Sequence, residues 1–303
     1  DSVFLLRVLL ALRNKLKIKK IAVCHLDHGL RGEDSAADAD FVKKLAEDLS
    51  LEYYHGWADL ARGASKKLST EERARQARYA FYGNCAARSG ANVVATGHTL
   101  DDQAETVLMR IVKGSSLKGA VGILPVRQQD NIRFIRPLIE LEKSEITGFL
   151  EKAGACYRID RTNLESIYFR NVVRREILPF LAKYNPRIKR ALSSFAEHLR
   201  EDYEFIESCK GRFFENIGVG KDGEVILPLK EIVIQPKALQ KEIFRDALGR
   251  AGGDIKRLTF RHWKDLERFV RDKRSGDSMD LPGAIRVERT GQDLVFRSGK
   301  KVS

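Results

Sequence analysis

The segment "TGHTLDDQAET", Thr96 to Thr106, places His98, Asp101, Asp102 and Glu105 within eight positions, directly after the apolar run "ANVVA". An imidazole can transfer protons, and carboxylates can hold a hard cation, receive an ammonium group or act as bases. One Asp in a first helical turn needs no such role, because it complements the helix dipole and caps free N–H groups. A His, two Asp and a Glu gathered at one strand end point instead to a functional site.

The elements that must position them can be read from periodicity. Ala91 to Ala95 is a short, partly β-branched run and reads as a buried strand, broken at Gly97. From Leu100 the pattern "LDDQAETVLMRIV" is helical, with apolar Leu100, Ala104, Val107, Leu108 and Ile111. A helix starting near His98 puts His98, Asp102 and Glu105 at i, i+4 and i+7 on one face. That face lies at the carboxyl edge of the strand, where open parallel sheets bind ligands.

Further upstream, Val3–Leu16 reads as a helix and "KIAVCHLDH" as a strand ending in polar residues. "SAADADFVKKLAEDLSL" is an amphipathic helix, "LEYYHGWA" a strand, and "STEERARQARYAFYGNCAARSG" a long helix. This alternation predicts an α/β fold with a doubly wound, mainly parallel sheet. Because the chain opens on a helix, a strand and a phosphate-cradling loop are expected further upstream. Asp1 and Ser2 would then stand at a helix N-terminus that favours an anion.

The 303 residues suffice for one large or two ordinary domains, and 43% are hydrophobic. No apolar run reaches membrane-spanning length, so no membrane association is expected, and no signal peptide is evident. Cys24, Cys85, Cys156 and Cys209 form no C-x-x-C pair, which disfavours a zinc ribbon or cysteine-bound cluster and fits a reducing, cytoplasmic setting. The net charge is +13 and uneven. Residues 1–150 carry 23 Lys and Arg against 19 Asp and Glu, a net +4, and the remainder 32 against 23, a net +9. A polyanionic partner is one reading, and simple solubility is the other.

After about Arg136 the pattern changes. "RPLIELEKSEITGFLEKAG" is a loop and a helix ending at Gly154, followed by an arginine-rich stretch with Pro179 and Pro186. A long helix then runs through Phe195 and Phe205 to about Phe214. Beyond Gly218 comes a smaller α+β module: a turn at "GKDG", a strand "EVILPL", two helices, and a hairpin "AIRVERTGQDLVFR" turning at Gly291.

Four patches, "HLDHGLRGEDSAADADFV", "EERARQARY", "TGHTLDDQAETVLMRIVKGSSLKGAVGI" and "RTNLESIYFRNVVRREILPFL", in this order and spacing resemble the tRNA(Ile)-lysidine synthetase family, one of the PP-loop (N-type) ATP pyrophosphatases. The likeness extends over nearly the whole chain. It implies a catalytic domain over residues 1–185, a helical linker over 186–215 and a basic tRNA-binding domain over 216–303. It also implies ATP and Mg²⁺ as cofactors, with the tRNA(Ile) bearing a CAU anticodon and free L-lysine as partners. Short members of the family further imply a homodimer. In the implied reaction, ATP adenylates O2 of the wobble cytidine and releases pyrophosphate. The lysine side-chain amine then attacks C2 and expels AMP.

By family position, Asp1 and Asp102 hold the metal, Asp1 and Ser2 end the phosphate loop, and Cys24 and His25 line the adenosine pocket. Glu105 receives the lysine ammonium, and His98 touches phosphate or the adenylated base. Arg78 contacts phosphate or base, and Arg170 reaches the active site with Asn171 and Arg174 on the same segment. For Arg75 and Arg78 the bland alternative is a surface helix paired to Glu71 and Glu72. His25, Asp27 and His28 suggest zinc only superficially, since no further ligand is evident. Arg31 and Gly32 begin a loop at that strand end, and "KGSSLKG" is a glycine-flanked loop beside the site. Lys237, Lys241, Arg257, Arg261 and Lys264, with "KYNPRIKR", are candidates for phosphate contacts. Two other readings compete. A tRNA 2-thiolation enzyme commonly uses C-x-x-C cysteines, which this chain lacks. A non-catalytic RNA-binding protein would not need His98, Asp102 and Glu105 together.

Overall fold

The structure, a computed structural model, describes residues 1–27, 33–58, 70–158, 169–215, 217, 223–272 and 274–298. The chain divides into two compact units, Asp1–Glu197 and His198–Ser303. Expectations for His28, Arg31, Gly32 and most of the "GKDG" turn lie outside the described residues.

The first unit opens with α1 (Ser2–Ala11), β1 (Ala22–Asp27), α2 (Glu33–Asp48) and β2 (Glu52–Trp57). Strands β1 and β2 pair in parallel, from Ala22 opposite Glu52 to Asp27 opposite Trp57. Helix α1 ends sooner than its apolar pattern suggests. Lys17 takes a left-handed φ of 53°, and the Arg13 guanidinium donates to the carbonyls of Ile18 and Lys19, closing a turn where the sequence reading continued the helix to Leu16.

Next come α3 (Thr70–Ser89), β3 (Val93–Ala95), α4 (Leu100–Val112) and the one-turn α5 (Leu117–Ala120), which occupies part of the expected "KGSSLKG" loop. A hairpin that the sequence reading did not foresee follows, β4 (Val126–Gln129) and β5 (Ile132–Ile135), turning at Asp130 with φ 51°. Polar residues dominate β4, so it lacks the apolar run of a buried strand. Strand β5 pairs in parallel with β3 and antiparallel with β4, so the expected parallel winding acquires an antiparallel edge.

The unit continues through α6 (Lys143–Lys152), α7 (Phe169–Val172), a π-helical turn (Val173–Ile177) and α8 (Leu178–Ala182) to the first residues of α9 (Ile188–Glu215), whose remainder from His198 belongs to the second unit. Two clusters hold it. Phe4 and Leu5 of α1 pack with Leu138, Ile146 and Leu150. Ala104 and Leu108 of α4 pack with Val173 and Leu178, which fixes the α7–π–α8 segment against the candidate site. Each of these leucines stabilises the contact by roughly 2 kcal/mol through burial.

The second unit holds β6 (Val225–Pro228), α10 (Leu229–Val233), α11 (Lys237–Arg250), α12 (Phe260–Asp272), β7 (Ser278–Leu281), β8 (Ile285–Thr290) and β9 (Asp293–Ser298). Its antiparallel sheet has the order β6-β9-β8-β7, and the expected hairpin turns at Gly291 with φ 62°. Strand β7 adds an edge that the sequence reading did not include. Ile243, Phe244, Leu266 and Phe296 fill its core. A mainly apolar cavity of about 880 Å³ lies within this unit, lined by Phe205, Cys209, Phe213, Pro228 and Leu239 among others. Among the described residues no helix is long and apolar enough to cross a membrane.

Candidate functional site at the β3–α4 junction

Strand β3 ends beside β5, where the Thr96 N–H donates to the Ile135 carbonyl at 3.0 Å. Gly97 follows, and close packing rather than left-handed backbone explains its type. A Cβ there would stand 3.1 Å from Ser2 N and 3.2 Å from the Asp1 carbonyl carbon, so glycine lets the start of α1 lie against the junction. This places Asp1 and Ser2 beside the junction. Asp1 Oδ2 also lies 3.9 Å from Lys143 Nζ.

Helix α4 is capped by Thr99 in a reciprocal box. The Thr99 hydroxyl accepts from the Asp102 N–H, and the Thr99 N–H donates to Asp102 Oδ2 at 2.9 Å. The cap corrects one expectation: His98 precedes the helix, so only Asp102 and Glu105 share its face, at i and i+3. His98 instead hydrogen-bonds through Nδ1 to Thr96 Oγ1 at 2.8 Å, leaving Nε2 for another partner. The neighbouring Asp101 turns away to other work. It accepts from the Lys143 N–H at the start of α6 at 2.8 Å and from Lys189 Nζ of α9.

Two arginines from the α7–π segment close over the carboxylates. Arg170 donates Nε to Glu105 Oε2 at 2.8 Å and Nη2 to Asp102 Oδ1 at 3.0 Å. Arg174 donates Nε to Glu105 Oε1 and Nη2 to Glu105 Oε2 at 3.0 Å. The Glu105 side chain is 1% exposed, against 33% for Arg170 and 29% for Arg174. A carboxylate so buried requires such forked donors. The π-helical turn that carries Arg174 is a rare geometry often found at functional sites.

Electrostatics follow this geometry. Burial and the arginines Arg136, Arg170 and Arg78 push the His98 pKa down to about 4, against the opposing pull of Asp102, so the ring is neutral at pH 7. Burial alone would raise Asp102, but the Arg170 guanidinium and the Thr99 hydrogen bonds outweigh it and hold the carboxyl below its ordinary value. Arg78, on α3, thus acts on His98 through its charge, while Arg75 departs from the ion-pair alternative by lying over the Tyr79 ring. Burial and the adjacent Cys85 thiol raise the Cys24 pKa to about 12, so Cys24, in the middle of β1, stays a thiol. His25 stacks on His55 with ring centroids 6.0 Å apart.

Among the described residues, no group of three His, Cys, Asp or Glu gathers as a metal cluster. Mg²⁺ does not require one, since one or two carboxylates with waters and phosphate oxygens suffice. Asp1 and Asp102 carry hard oxygen donors of that kind, and Arg170 Nη2 is bonded to Asp102 Oδ1. The sequence reading noticed Arg174 but gave it no role, took Lys189 within "KYNPRIKR" as a candidate for phosphate contact where it pairs with Asp101, and did not single out Thr99 or Arg136. Spacing was a usable signal for Arg174, one helical turn after Arg170.

In the second unit, Arg257, Arg261 and Lys264 are exposed but engaged in local ion pairs with Asp254, Asp265 and Glu267. Such pairs are weak and leave the cations accessible to a polyanion.

A wound sheet with carboxylates and arginines converging at a strand end, and a helix N-terminus pressed against it, defines a class. Residues 1–181 match the model of the PP-loop domain, and the chain belongs to that ATP-using family. More particularly, it is similar to tRNA(Ile)-lysidine synthases. That of Geobacter sulfurreducens is 33% identical over 302 residues, covering 98% of this chain and 62% of that protein. That of Symbiobacterium thermophilum is 36% identical over 294 residues, covering 89% and 61%. That of Clostridioides difficile is 32% identical over 306 residues, covering 100% and 65%. The chain therefore spans less than two thirds of these relatives' length. Among solved structures, the U34-tRNA thiolase NcsA from Methanococcus maripaludis, with its [4Fe-4S] cluster, matches with a TM-score of 0.56 at 20% identity. It covers 66% of this chain and 68% of that one, and supports the fold alone.

Proposed function

We propose that the protein makes lysidine. ATP transfers its adenylyl group to O2 of the wobble cytidine of a tRNA(Ile) with a CAU anticodon, releasing pyrophosphate. The side-chain amine of free lysine then attacks C2, and AMP leaves with the oxygen. The observation that carries this reading is the similarity to lysidine synthases, which runs through both units and not the PP-loop domain alone.

The residues fit the chemistry. Asp1 and Asp102 would hold Mg²⁺, which when bound offsets phosphate charge during adenylyl transfer. Arg170 and Arg174 neutralise the buried Glu105 and Asp102 at rest. Incoming phosphates compete for the same guanidinium forks, and as the arginines turn toward them the carboxylates become available. Glu105 then receives the lysine ammonium and takes its proton, because only the neutral amine is a nucleophile. His98, neutral, offers Nε2 to the base or phosphate, and Arg78 stands beside it. Ser2 and the α1 N-terminus bind phosphate, and Cys24 and His25 border the adenosine. The basic residues of the second unit contact the tRNA backbone. The reading sets the enzyme in the cytoplasm.

The test is a radiolabelled-lysine assay with the full-length protein, ATP, Mg²⁺ and a tRNA(Ile) transcript. Label retained in the tRNA, and absent when the CAU anticodon is changed to GAU, is the expected result. No incorporation with an intact, folded enzyme would refute the reading.

A further inference from the structure

A second arginine cluster lies on the same sheet edge, and it has no carboxylate. Tyr79 of α3 packs its ring 4.9 Å from Phe134 of β5. One turn earlier on α3, the Arg75 guanidinium carbon lies 5.5 Å from the Tyr79 ring centroid. The Arg127 guanidinium carbon, from the β4 edge strand, lies 5.4 Å from the same centroid. Arg136, directly after β5, donates Nη2 to the Tyr79 hydroxyl at 3.2 Å and Nη1 to the Leu124 carbonyl at 2.8 Å. Three guanidinium groups thus converge on one phenol.

Among the described residues none of the three forms an ion pair with Asp or Glu. Arg136 is 5% exposed, and its Nε is buried without a hydrogen-bond partner. An arginine cannot shed its charge as a buried lysine or histidine can. Contacts with an aromatic face and a neutral carbonyl return only part of what desolvation costs such a group. Arg136 has both Nη atoms engaged and its Nε out of reach, so it contributes charge alone, and the more accessible guanidinium groups of Arg75 and Arg127 are the ones an anion can meet.

We propose that Arg75 and Arg127, organised around Tyr79 and backed by the buried charge of Arg136, form a phosphate-binding site separate from the Glu105 centre. Planar guanidinium forks grip phosphate oxygens in pairs. The site is near enough to the reacting groups to serve a substrate phosphate: the Ile135 carbonyl beside Arg136 accepts from Thr96, which in turn holds His98. Two sources carry such a phosphate, the tRNA backbone and the ATP tail. The assignment to RNA rests on the proposed function, whereas phosphate binding itself does not.

The experiment uses full-length protein carrying Arg75→Gln or Arg127→Gln, both at positions open enough to tolerate the exchange, with thermal melts confirming the fold. In one arm, binding of tRNA(Ile) is measured across a salt series. Loss of one phosphate contact lowers the slope of log affinity against log salt by about one. In the other arm, a fluorescent ATP analogue is titrated with Mg²⁺ present. A lower salt slope with unchanged nucleotide affinity assigns the site to RNA phosphate, and a roughly tenfold loss of nucleotide affinity with an unchanged slope assigns it to ATP. Wild-type values in both arms overturn the proposal. Should the unsubstituted protein bind no tRNA, the functional reading fails instead, and the nucleotide arm with a parallel pyrophosphate titration still decides the site.

Discussion

Arg170 and Arg174 reach two carboxylates, whereas Arg75, Arg127 and Arg136 reach only a phenol and a backbone carbonyl. Both clusters sit on the N-terminal unit, and both are built from groups whose charge cannot be titrated away. In the first, each side needs the other: Glu105 could not be so deeply buried as an anion without its two forks. In the second, no carboxylate among the described residues compensates, and the proposed phosphate supplies the opposite charge. The contrast separates a resting machine, whose charges are matched until substrate disturbs them, from a receptor that is complete only when occupied.

The largest effect is expected from Glu105→Gln. It removes the negative charge and one of the two oxygens that accept three arginine hydrogen bonds, and leaves partly buried guanidinium groups unmatched. Lysine incorporation should become undetectable, and urea denaturation should show a loss of about 3 kcal/mol. Unaltered stability would break the comparison at its first term. Asp102→Asn comes next, since it weakens both the Arg170 contact and the α4 capping box. About 1 kcal/mol of stability should go with the cap, together with nearly all adenylation. An active Asp102→Asn enzyme would remove this residue from the proposed site.

His98 provides a pH-dependent probe. Its folded pKa is lowered to about 4 from 6.5, so the unfolded chain takes up its proton first as pH falls. The stability this contributes is present above pH 6.5 and is lost between about pH 6.5 and pH 4, at up to about 1.4 kcal/mol per pH unit. Stability curves of the wild type and His98→Gln should converge over that window. Parallel curves would mean that the ring is not held neutral.

The smallest effect sharpens the contrast most directly. Arg127→Gln should leave stability in the absence of ligand within about 0.5 kcal/mol of wild type, or raise it, because it relieves repulsion. Arg174→Gln should lower stability, because Glu105 loses a fork. A similar destabilisation by both would show that the Tyr79 cluster is matched after all.

Much of this was legible beforehand. The strand and helix around His98, the alternating first half and the Gly291 hairpin all followed from periodicity and turn chemistry. The β4–β5 hairpin did not, because an edge strand with one polar side after another has no apolar signature to read. Nor did the Thr99 cap: the apolar pattern begins at Leu100, as α4 does, but starting the helix near His98 put that ring on a face it does not share. Arg136 served only to mark where the pattern changes, since nothing local marks an arginine as buried.

What the amino-acid order determines alone is whatever acts within a turn or two of the chain: the alternation of elements, the Thr99–Asp102 cap three residues apart, and the supply of charged groups near a strand end. Which charges meet was decided only by tertiary packing. Arg170 finds Glu105 across 65 positions and Asp102 across 68, because Ala104 and Leu108 bury against Val173 and Leu178. Apolar burial is directionless and long-ranged along the sequence, so the partners it brings together leave no spacing to be read in advance.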